Sequence, residues 1–296
     1  MTEREKTTLK RIRTGSFERR LSLTRTGLLA GTRYMAQSAS SLLLPRARRA
    51  EHRRAALGAQ ARYLVEELGK LKGSVVKIGQ MMALYGEHFL PDEVTVALHS
   101  LEDRTVALEW PVIRRVLERE LGRQRLPELD IDPVPIGAAS LGQVHLARRL
   151  ADDRALCLKV QYPGVADSID ADIDAVVQML EIARMIAPTE EFRSWLEEVR
   201  EMLHREVDYT LEAAKTQLFH DRLRRDPRFV VPEVVPEYST AHVLATSFEQ
   251  GYAVTSADVE ALPLARRNAL ARAFLELFLR EIFEWKELQT DPNFGN

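Results

Sequence analysis

The amino-acid sequence predicts an α+β fold in which a short series of antiparallel strands lies between two helical regions. Apolar residues recur at helical spacing up to about residue 125, short apolar and β-branched runs occupy 131–161, and helical spacing returns from 165. With 296 residues, 45% of them hydrophobic and 29% charged, the chain can bury a large core. Its single cysteine, Cys157, excludes an internal disulfide framework.

The first 55 residues form a basic arm with 14 Lys/Arg against 4 Asp/Glu. Leucines such as Leu28 and Leu29 lie among the charges, so the arm can be a solvated tail, a membrane-surface segment that binds anionic lipid, or a targeting peptide. Glu3 and Glu5 disfavour the last interpretation, because transit peptides avoid acidic residues. No apolar run approaches the ~18–20 residues that span a bilayer. We expect a cytoplasmic protein, peripheral at a membrane if the arm binds lipid, with no nucleic acid as partner.

A helical extension is predicted over 56–126. Few helix breakers interrupt the chain between 50 and 85, and Pro91 and Pro111 are placed to begin two further helices. Lys77 and Gln80 are three residues apart and share a helix face, while Gly79 lowers helix stability by about 1 kcal/mol relative to alanine. Taken alone, Lys77 would be interpreted as a solvated helix lysine.

Five short strands are predicted after the extension, and they would form one antiparallel sheet with inserted helices. The strands cover 131–137, 143–149, 154–161, 229–235 and 242–248. The first two helical regions cover 165–186 and 191–225 and are separated at Pro188. A final helix covers 264–285. This order is that of a protein-kinase small lobe, over 127–248, followed by only the beginning of a helical large lobe, over 249–296.

The turn between the first two strands is a candidate phosphate-binding loop, with the sequence Gly137-Ala138-Ala139-Ser140. Gly137 and Gly142 have the spacing of a Walker loop, but Gln143 stands where the Walker lysine should be, so that motif is excluded. Alanines still let backbone N–H groups approach a phosphate, with less freedom than glycine. A plain hairpin turn is the alternative.

Lys159 lies inside an apolar strand, where a lysine is costly to bury without a partner. A phosphate and a carboxylate could together hold it charged; alternatively the strand is at an edge and Lys159 faces water. Candidate carboxylates follow in one helical segment: Asp208 and Glu212 share a helix face, whereas a common role for Glu206 and Asp208 requires a kink or a partner element large enough to reach both.

Cys157 precedes Lys159 by two residues, so both side chains leave the same face of the strand. It lines a pocket or is a small buried hydrophobe. At the other end of the chain, Asp291 and Asn296 have the spacing of a kinase catalytic loop, which supplies a base for the attacking hydroxyl and then a ligand for Mg²⁺. Alone, that segment equally describes an ordinary turn.

Together these motifs, over about 60–296, resemble the UbiB/AarF/ADCK family of atypical kinases, which is linked to coenzyme Q. Residues 77–80 are similar to the family's KxGQ motif, 137–140 to its alanine-rich loop, 206–208 to its ExD motif and 288–296 to its catalytic loop. Lys159 and Glu212 take the places of the small-lobe lysine and its paired glutamate.

The resemblance implies an ATP- and Mg²⁺-dependent atypical kinase or ATPase that supports ubiquinone or isoprenoid-lipid biosynthesis, with isoprenoid lipid and lipid-biosynthesis enzymes as candidate partners. It implies that Asp291 acts on the hydroxyl and Asn296 binds Mg²⁺. It assigns the nucleotide to the turn, Cys157 and Lys159. In the family, the KxGQ extension, here Lys77 and Gln80, covers the site of a peptide substrate, and the two ExD carboxylates help to hold it there.

Three departures from the family pattern affect these expectations. Gly137 replaces the first alanine of the loop, which should loosen nucleotide binding slightly, and Ser247 stands where a hinge glutamate is common. No Asp-Phe-Gly segment, the source of the second metal ligand, follows Asn296 in the printed sequence, so we expect the chain as printed to be inactive. The alternative function is a non-catalytic, pseudokinase-like module that binds nucleotide or lipid.

Overall fold

The computed structural model describes most of the chain between residues 46 and 288. The described residues are 24–26, 28–29, 32, 46–71, 73–86, 89–100, 107–183, 185–186 and 189–288. Most of the predicted basic arm and all of the predicted catalytic loop except Leu288 lie outside them, including Asp291 and Asn296. The chain forms two compact units, Met1–Gln217 with Glu233–Ser247 and Leu218–Pro232 with Phe248–Asn296. The four-part division at residues 55, 126 and 248 stays a prediction.

The helical extension of the first unit contains four α-helices. They are α1 (Arg46–Leu71), α2 (Ser74–Tyr85), α3 (Asp92–His99) and α4 (Trp110–Arg125). The expected unbroken helical stretch divides before α2 because Gly73 has φ 63°, a left-handed conformation that favours glycine. Pro111 lies in the first turn of α4, as its fixed φ and missing N–H predict. None of the helices formed by the described residues has the length and apolar character that a bilayer crossing requires.

The sheet of the first unit has four antiparallel strands in the order β1 (Leu129–Ala138), β2 (Gly142–Arg149), β3 (Arg154–Gln161), β4 (Val243–Ser247). The predicted α+β class is confirmed, but the prediction of five strands is wrong. Residues 229–235 make only one isolated bridge, between Val234 and Thr246. Pro232 and Pro236 flank that bridge, and because proline has no N–H to donate, the ladder cannot extend in either direction.

Three helices follow β3: α5 (Val165–Ile182), α6 (Glu190–Val207) and α7 (Tyr209–Leu223). The prediction of one continuous helix over 191–225 is wrong at a single residue, Asp208, whose φ −84° and ψ 86° end α6. Its carboxylate then accepts a hydrogen bond of 2.9 Å from the backbone N–H of Leu211, so Asp208 caps the start of α7. The chain therefore has the kink that a common role for Glu206 and Asp208 requires.

One hydrophobic core joins the helical extension to one face of the sheet. On β3, Leu156, Leu158 and Val160 are fully buried, whereas Cys157 and Lys159 on the opposite face are only half-buried. Asp172 of α5 lies inside this core, where it accepts hydrogen bonds from the hydroxyls of Ser74 and Ser168. These bonds tie the first residue of α2 to α5, and they give a buried carboxylate the partners it needs.

The second unit contains α8 (Ala257–Glu260) and α9 (Leu264–Leu279), and α9 runs into a π-helical turn, Arg280–Trp285. The predicted final helix matches α9 with this turn. The indole of Trp285 lies between two guanidinium groups, with Arg222 4.9 Å and Arg280 4.8 Å from its ring centroid. Cation–π contacts therefore hold the turn just before the predicted catalytic loop.

Candidate nucleotide site

The turn between β1 and β2 is closed by backbone hydrogen bonds. The N–H of Ala139 donates to the carbonyl of Gly142 over 2.8 Å, and the carbonyl of Leu141 accepts from the N–H of Tyr162 over 2.9 Å. Gly137 is exposed, and a Cβ there would meet nothing within 4 Å. A Cβ on Gly142 would instead lie 2.7 Å from both the Val160 carbonyl and the phenol oxygen of Tyr209. Gly142 is thus the turn residue at which only glycine fits.

The structure brings Lys159 and Glu212 together. The Lys159 ammonium donates to both carboxylate oxygens of Glu212 over 2.7 Å, and the two side chains are 34% and 37% exposed. The edge-strand alternative for Lys159 is wrong, because β3 pairs with both β2 and β4. An ammonium on a central strand that is held by a carboxylate and still reaches solvent is suited to bind a phosphate.

Cys157 lies on the same face of β3 as Lys159 and is half-buried. Its neighbours across the sheet are Leu146 on β2 and Thr246 on β4. The fully buried Leu156 and Leu158 point to the opposite face, so Cys157 belongs to the Lys159 face and not to the main core. Its assignment to a nucleotide pocket stays a prediction.

The kink at Asp208 separates two ion pairs. Before the kink, Glu206 accepts from the Lys77 ammonium over 2.9 Å, and these side chains are 36% and 19% exposed. After the kink, Glu212 pairs with Lys159. The structure therefore brings Lys77 to Glu206 but directs Asp208 to the backbone of α7. Gln80, one helical turn after Lys77, is half-buried on α2.

Gln161, the last residue of β3, holds this kink and was missed by the sequence reasoning. Its side chain is 2% exposed, and its Nε2 donates to the carbonyl of Val207 over 2.8 Å. That carbonyl is one of those that the end of α6 leaves without a helical partner. The only sequence signal was a polar residue at the end of an apolar strand, which does not reveal a contact 46 residues away in the chain.

A buried polar network joins the extension to β2. The Asp132 carbonyl can only accept, so His145 donates to it through Nδ1 over 2.8 Å, and its Nε2 accepts from the Gln143 amide over 2.8 Å. The other end of the amide, Oε1, accepts from the N–H of Leu108 over 2.8 Å. Burial lowers the pKa of His145, which keeps the ring neutral in this arrangement. Gln143, which excluded the Walker motif, therefore ties the chain before α4 to the sheet.

Ser247, at the expected hinge position, is buried at the end of β4. Its hydroxyl accepts from the N–H of Glu233 over 3.0 Å, and its own N–H donates to the Glu233 carbonyl over 2.8 Å. The serine thus fixes the segment before β4, a role that the sequence pattern did not indicate.

The predicted magnesium ligand Asn296 and the predicted base Asp291 lie outside the described residues. Within the part of the chain that the structure describes, no three His, Cys, Asp or Glu residues are grouped so that they could hold a metal ion. The Mg²⁺ site therefore stays a prediction that rests on the sequence.

Comparisons with known proteins agree with this arrangement. The ABC1 atypical kinase-like domain matches residues 100–296. The chain is similar to the atypical kinase COQ8, mitochondrial, of Saccharomyces cerevisiae, with 31% identity over 237 residues that cover 79% of this chain and 46% of that protein. It is 34% identical over 241 residues to the atypical kinase COQ8B, mitochondrial, of Danio rerio, and these cover 80% of this chain and 38% of that one.

A solved structure, the complex of Rv3197 with erythromycin from Mycobacterium tuberculosis, matches with a TM-score of 0.54 and 28% identity over 77% of this chain and 58% of that chain. The chain spans less than half the length of the two COQ8 relatives. The family domain nevertheless covers about two thirds of the chain. The chain belongs to the ABC1, or UbiB/COQ8, family of atypical kinases.

Proposed function

We propose that this chain binds Mg-ATP at the β1–β2 turn and Lys159, and that a full-length version of it acts as an atypical kinase or ATPase in support of ubiquinone or isoprenoid-lipid biosynthesis. The observation that carries the proposal is the bidentate Lys159–Glu212 pair on a central strand next to a turn that only glycine can close at residue 142. Membership of the ABC1 family supports the same conclusion.

The donors of this site suit a polyphosphate. An ammonium group has three N–H donors. Two of those on Lys159 donate to the two carboxylate oxygens of Glu212, which leaves the third for a phosphate oxygen. Glu212 fixes the ammonium before the ligand arrives, so little side-chain entropy is lost when the phosphate binds. Backbone N–H groups of the turn other than that of Ala139, which donates to Gly142, would supply further donors of the kind that phosphates accept from.

Bound Mg-ATP supplies the phosphoryl group that is transferred. In this chain, Lys159 would hold the α- and β-phosphates, Glu212 would keep Lys159 in place, and Asn296 would bind the metal. Asp291 would orient the attacking hydroxyl or accept its proton.

The helical extension gives the proposed enzyme its substrate class. The Lys77–Glu206 pair attaches α2 to the end of α6, next to the kink that leads to Glu212. In line with the family resemblance, we assign to the extension the exclusion of peptide substrates, which directs the activity to small molecules. An anionic or isoprenoid lipid is the proposed ligand class, with lipid-biosynthesis enzymes as partners and a peripheral position at a membrane.

Nucleotide-dependent thermal stabilisation tests the proposal. Mg-ATP at 100 times its dissociation constant should stabilise the folded protein by about 2.7 kcal/mol. Lys159→Ala should abolish that gain, because the phosphates lose their ammonium partner. Arg114→Ala is the matched control, since it removes the exposed 2.9 Å pair between Arg114 and Glu118 and should leave the gain intact.

A melting shift that survives Lys159→Ala would contradict the assignment. Phosphate release measured on the same samples then separates the two functional classes. Turnover that Lys159→Ala removes indicates an enzyme, whereas binding without turnover indicates a non-catalytic nucleotide-binding module.

A further inference from the structure

Tyr209 is the first residue of α7, directly after the kink at Asp208, and it contacts both parts of the proposed nucleotide site. The Lys159 ammonium lies 4.8 Å from its ring centroid. Its phenol oxygen is close enough to Gly142 that a Cβ on that glycine would approach it to 2.7 Å. One side chain thus lies between the lysine and the turn.

Tyr209 does not belong to the main hydrophobic core. It is 2% exposed, and it forms a separate small cluster with Val234 and Leu244 on the other face of the sheet. Leu244 is the residue opposite Lys159 in the β3–β4 register. The tyrosine therefore packs on the sheet face that carries Lys159, where its ring shapes the surroundings of the ammonium.

The position of the ring is fixed from two sides. The Gln161 amide holds the carbonyl of Val207, two residues before Tyr209. Glu212, one helical turn after Tyr209 on α7, accepts a hydrogen bond from the Lys159 ammonium that contacts the ring. Burial, together with the negative charges of Glu212 and Glu206, raises the pKa of Tyr209, so the phenol stays neutral and its ring presents an electron-rich face to the ammonium.

We propose that Tyr209 is a positioning residue for the nucleotide. Its ring keeps the Lys159 ammonium on the carboxylate of Glu212, and the same side chain lies beside the turn at Gly142. This inference rests on the proposed function, since it assigns a further residue to that same site. Tyr209 acts through Lys159 and Gly142 and need not touch the nucleotide itself.

The first test measures the affinity for Mg-ATP by calorimetry in the purified protein. Tyr209→Leu should weaken binding by about threefold to tenfold, because it removes a partly buried cation–π contact. Tyr209→Phe keeps the ring and should bind within about twofold of the parent protein. Tyr238→Leu is the matched control: Tyr238 is 3% exposed, and its hydroxyl donates to Glu128 instead of approaching Lys159. It should lower the melting temperature and leave affinity unchanged.

The second test needs no nucleotide. The face of an aromatic ring shifts nearby protons upfield, so the ε-methylene of Lys159 should resonate upfield in a lysine-selective NMR spectrum, assigned by its absence in Lys159→Arg. The shift should persist in Tyr209→Phe and vanish in Tyr209→Leu. If Tyr209→Leu does not fold, the spectra of the parent protein and Tyr209→Phe still decide whether the ring lies over the ammonium.

The outcomes separate this inference from the proposed function. If the parent protein and Tyr209→Leu bind Mg-ATP equally well, the positioning role of Tyr209 is overturned and the proposed function still stands. An unshifted Lys159 resonance overturns the role as well. If the parent protein binds no nucleotide, the proposed function is overturned. The positioning role of Tyr209 is then overturned as well, even if the Lys159 resonance is shifted.

Discussion

Replacement of Lys77 by alanine tests how the helical extension is attached to the kink at Asp208. The substitution leaves the Glu206 carboxylate without its 2.9 Å partner. Fully exposed pairs contribute at most about 1 kcal/mol, and breaking a buried pair costs about 3–5 kcal/mol. Lys77 is 19% and Glu206 36% exposed, so water can solvate much of the stranded carboxylate. We therefore expect a loss of about 1–2 kcal/mol in the free energy of unfolding.

Thermal or urea unfolding of four proteins measures this loss: the parent, Lys77→Ala, Glu206→Gln and the double variant. A lowering of the melting temperature by about 2–6 °C is expected for Lys77→Ala. The double-mutant cycle should give a coupling of about 1 kcal/mol, because the two side chains are in direct contact. The same cycle at Arg114 and Glu118, which are 61% and 49% exposed, is the control and should give about 0.5 kcal/mol or less.

Activity provides the second measurement on these variants. If the Lys77–Glu206 pair holds the extension over the site, Lys77→Ala in a full-length version of the protein should raise autophosphorylation relative to the full-length parent. Unchanged stability together with unchanged autophosphorylation would make Lys77 an ordinary solvated lysine and refute the reasoning.

Three further predictions concern other residues of the first unit. A thiol reagent should label Cys157 in the native protein and Mg-ATP should slow the labelling; labelling that appears only after denaturation would place Cys157 in the core. Because burial lowers the pKa of His145, the unfolded chain binds more protons below about pH 6.5, so the free energy of unfolding should fall as the pH falls through that value. This pH-dependent loss of stability should be smaller in His145→Gln. An equal dependence of the free energy of unfolding on pH in both proteins would argue against a lowered pKa of His145. Gly142→Ala should destabilise the protein by about 1–3 kcal/mol in urea unfolding, because its Cβ would meet the Val160 carbonyl. Gly137→Ala should instead be neutral or stabilising by up to about 1 kcal/mol, and equal effects of the two substitutions would contradict the geometry.

Local rules predicted the parts of the fold in which one physical requirement dominates. The α+β class followed from the change between helical and strand periodicity, and the start of α4 followed from Pro111. A lysine inside an apolar strand needs a carboxylate, and that requirement led to a group of candidates that included Glu212, which the family resemblance then singled out as the partner of Lys159. The same reasoning required either a kink or a large partner element for a common role of Glu206 and Asp208, and the backbone of Asp208 forms a kink.

Tertiary contacts decided what the sequence could not predict. The apolar pattern of 229–235 favours a strand, but the prolines on both sides limit it to one bridge. Gly73 lies inside the stretch that was predicted to be helical, and its positive φ separates α1 from α2. Gln161 and Tyr209 were missed because each acts on residues far away in the chain, and neither belongs to a pattern of spacing.

A crystal structure with Mg²⁺ and a non-hydrolysable ATP analogue tests the central claim most directly. The phosphates should lie against the β1–β2 turn, with one phosphate oxygen within about 3 Å of the Lys159 ammonium. Glu212 should still accept from the same ammonium. A nucleotide bound elsewhere, or a Lys159–Glu212 pair that the phosphates do not touch, would contradict the assignment of this site.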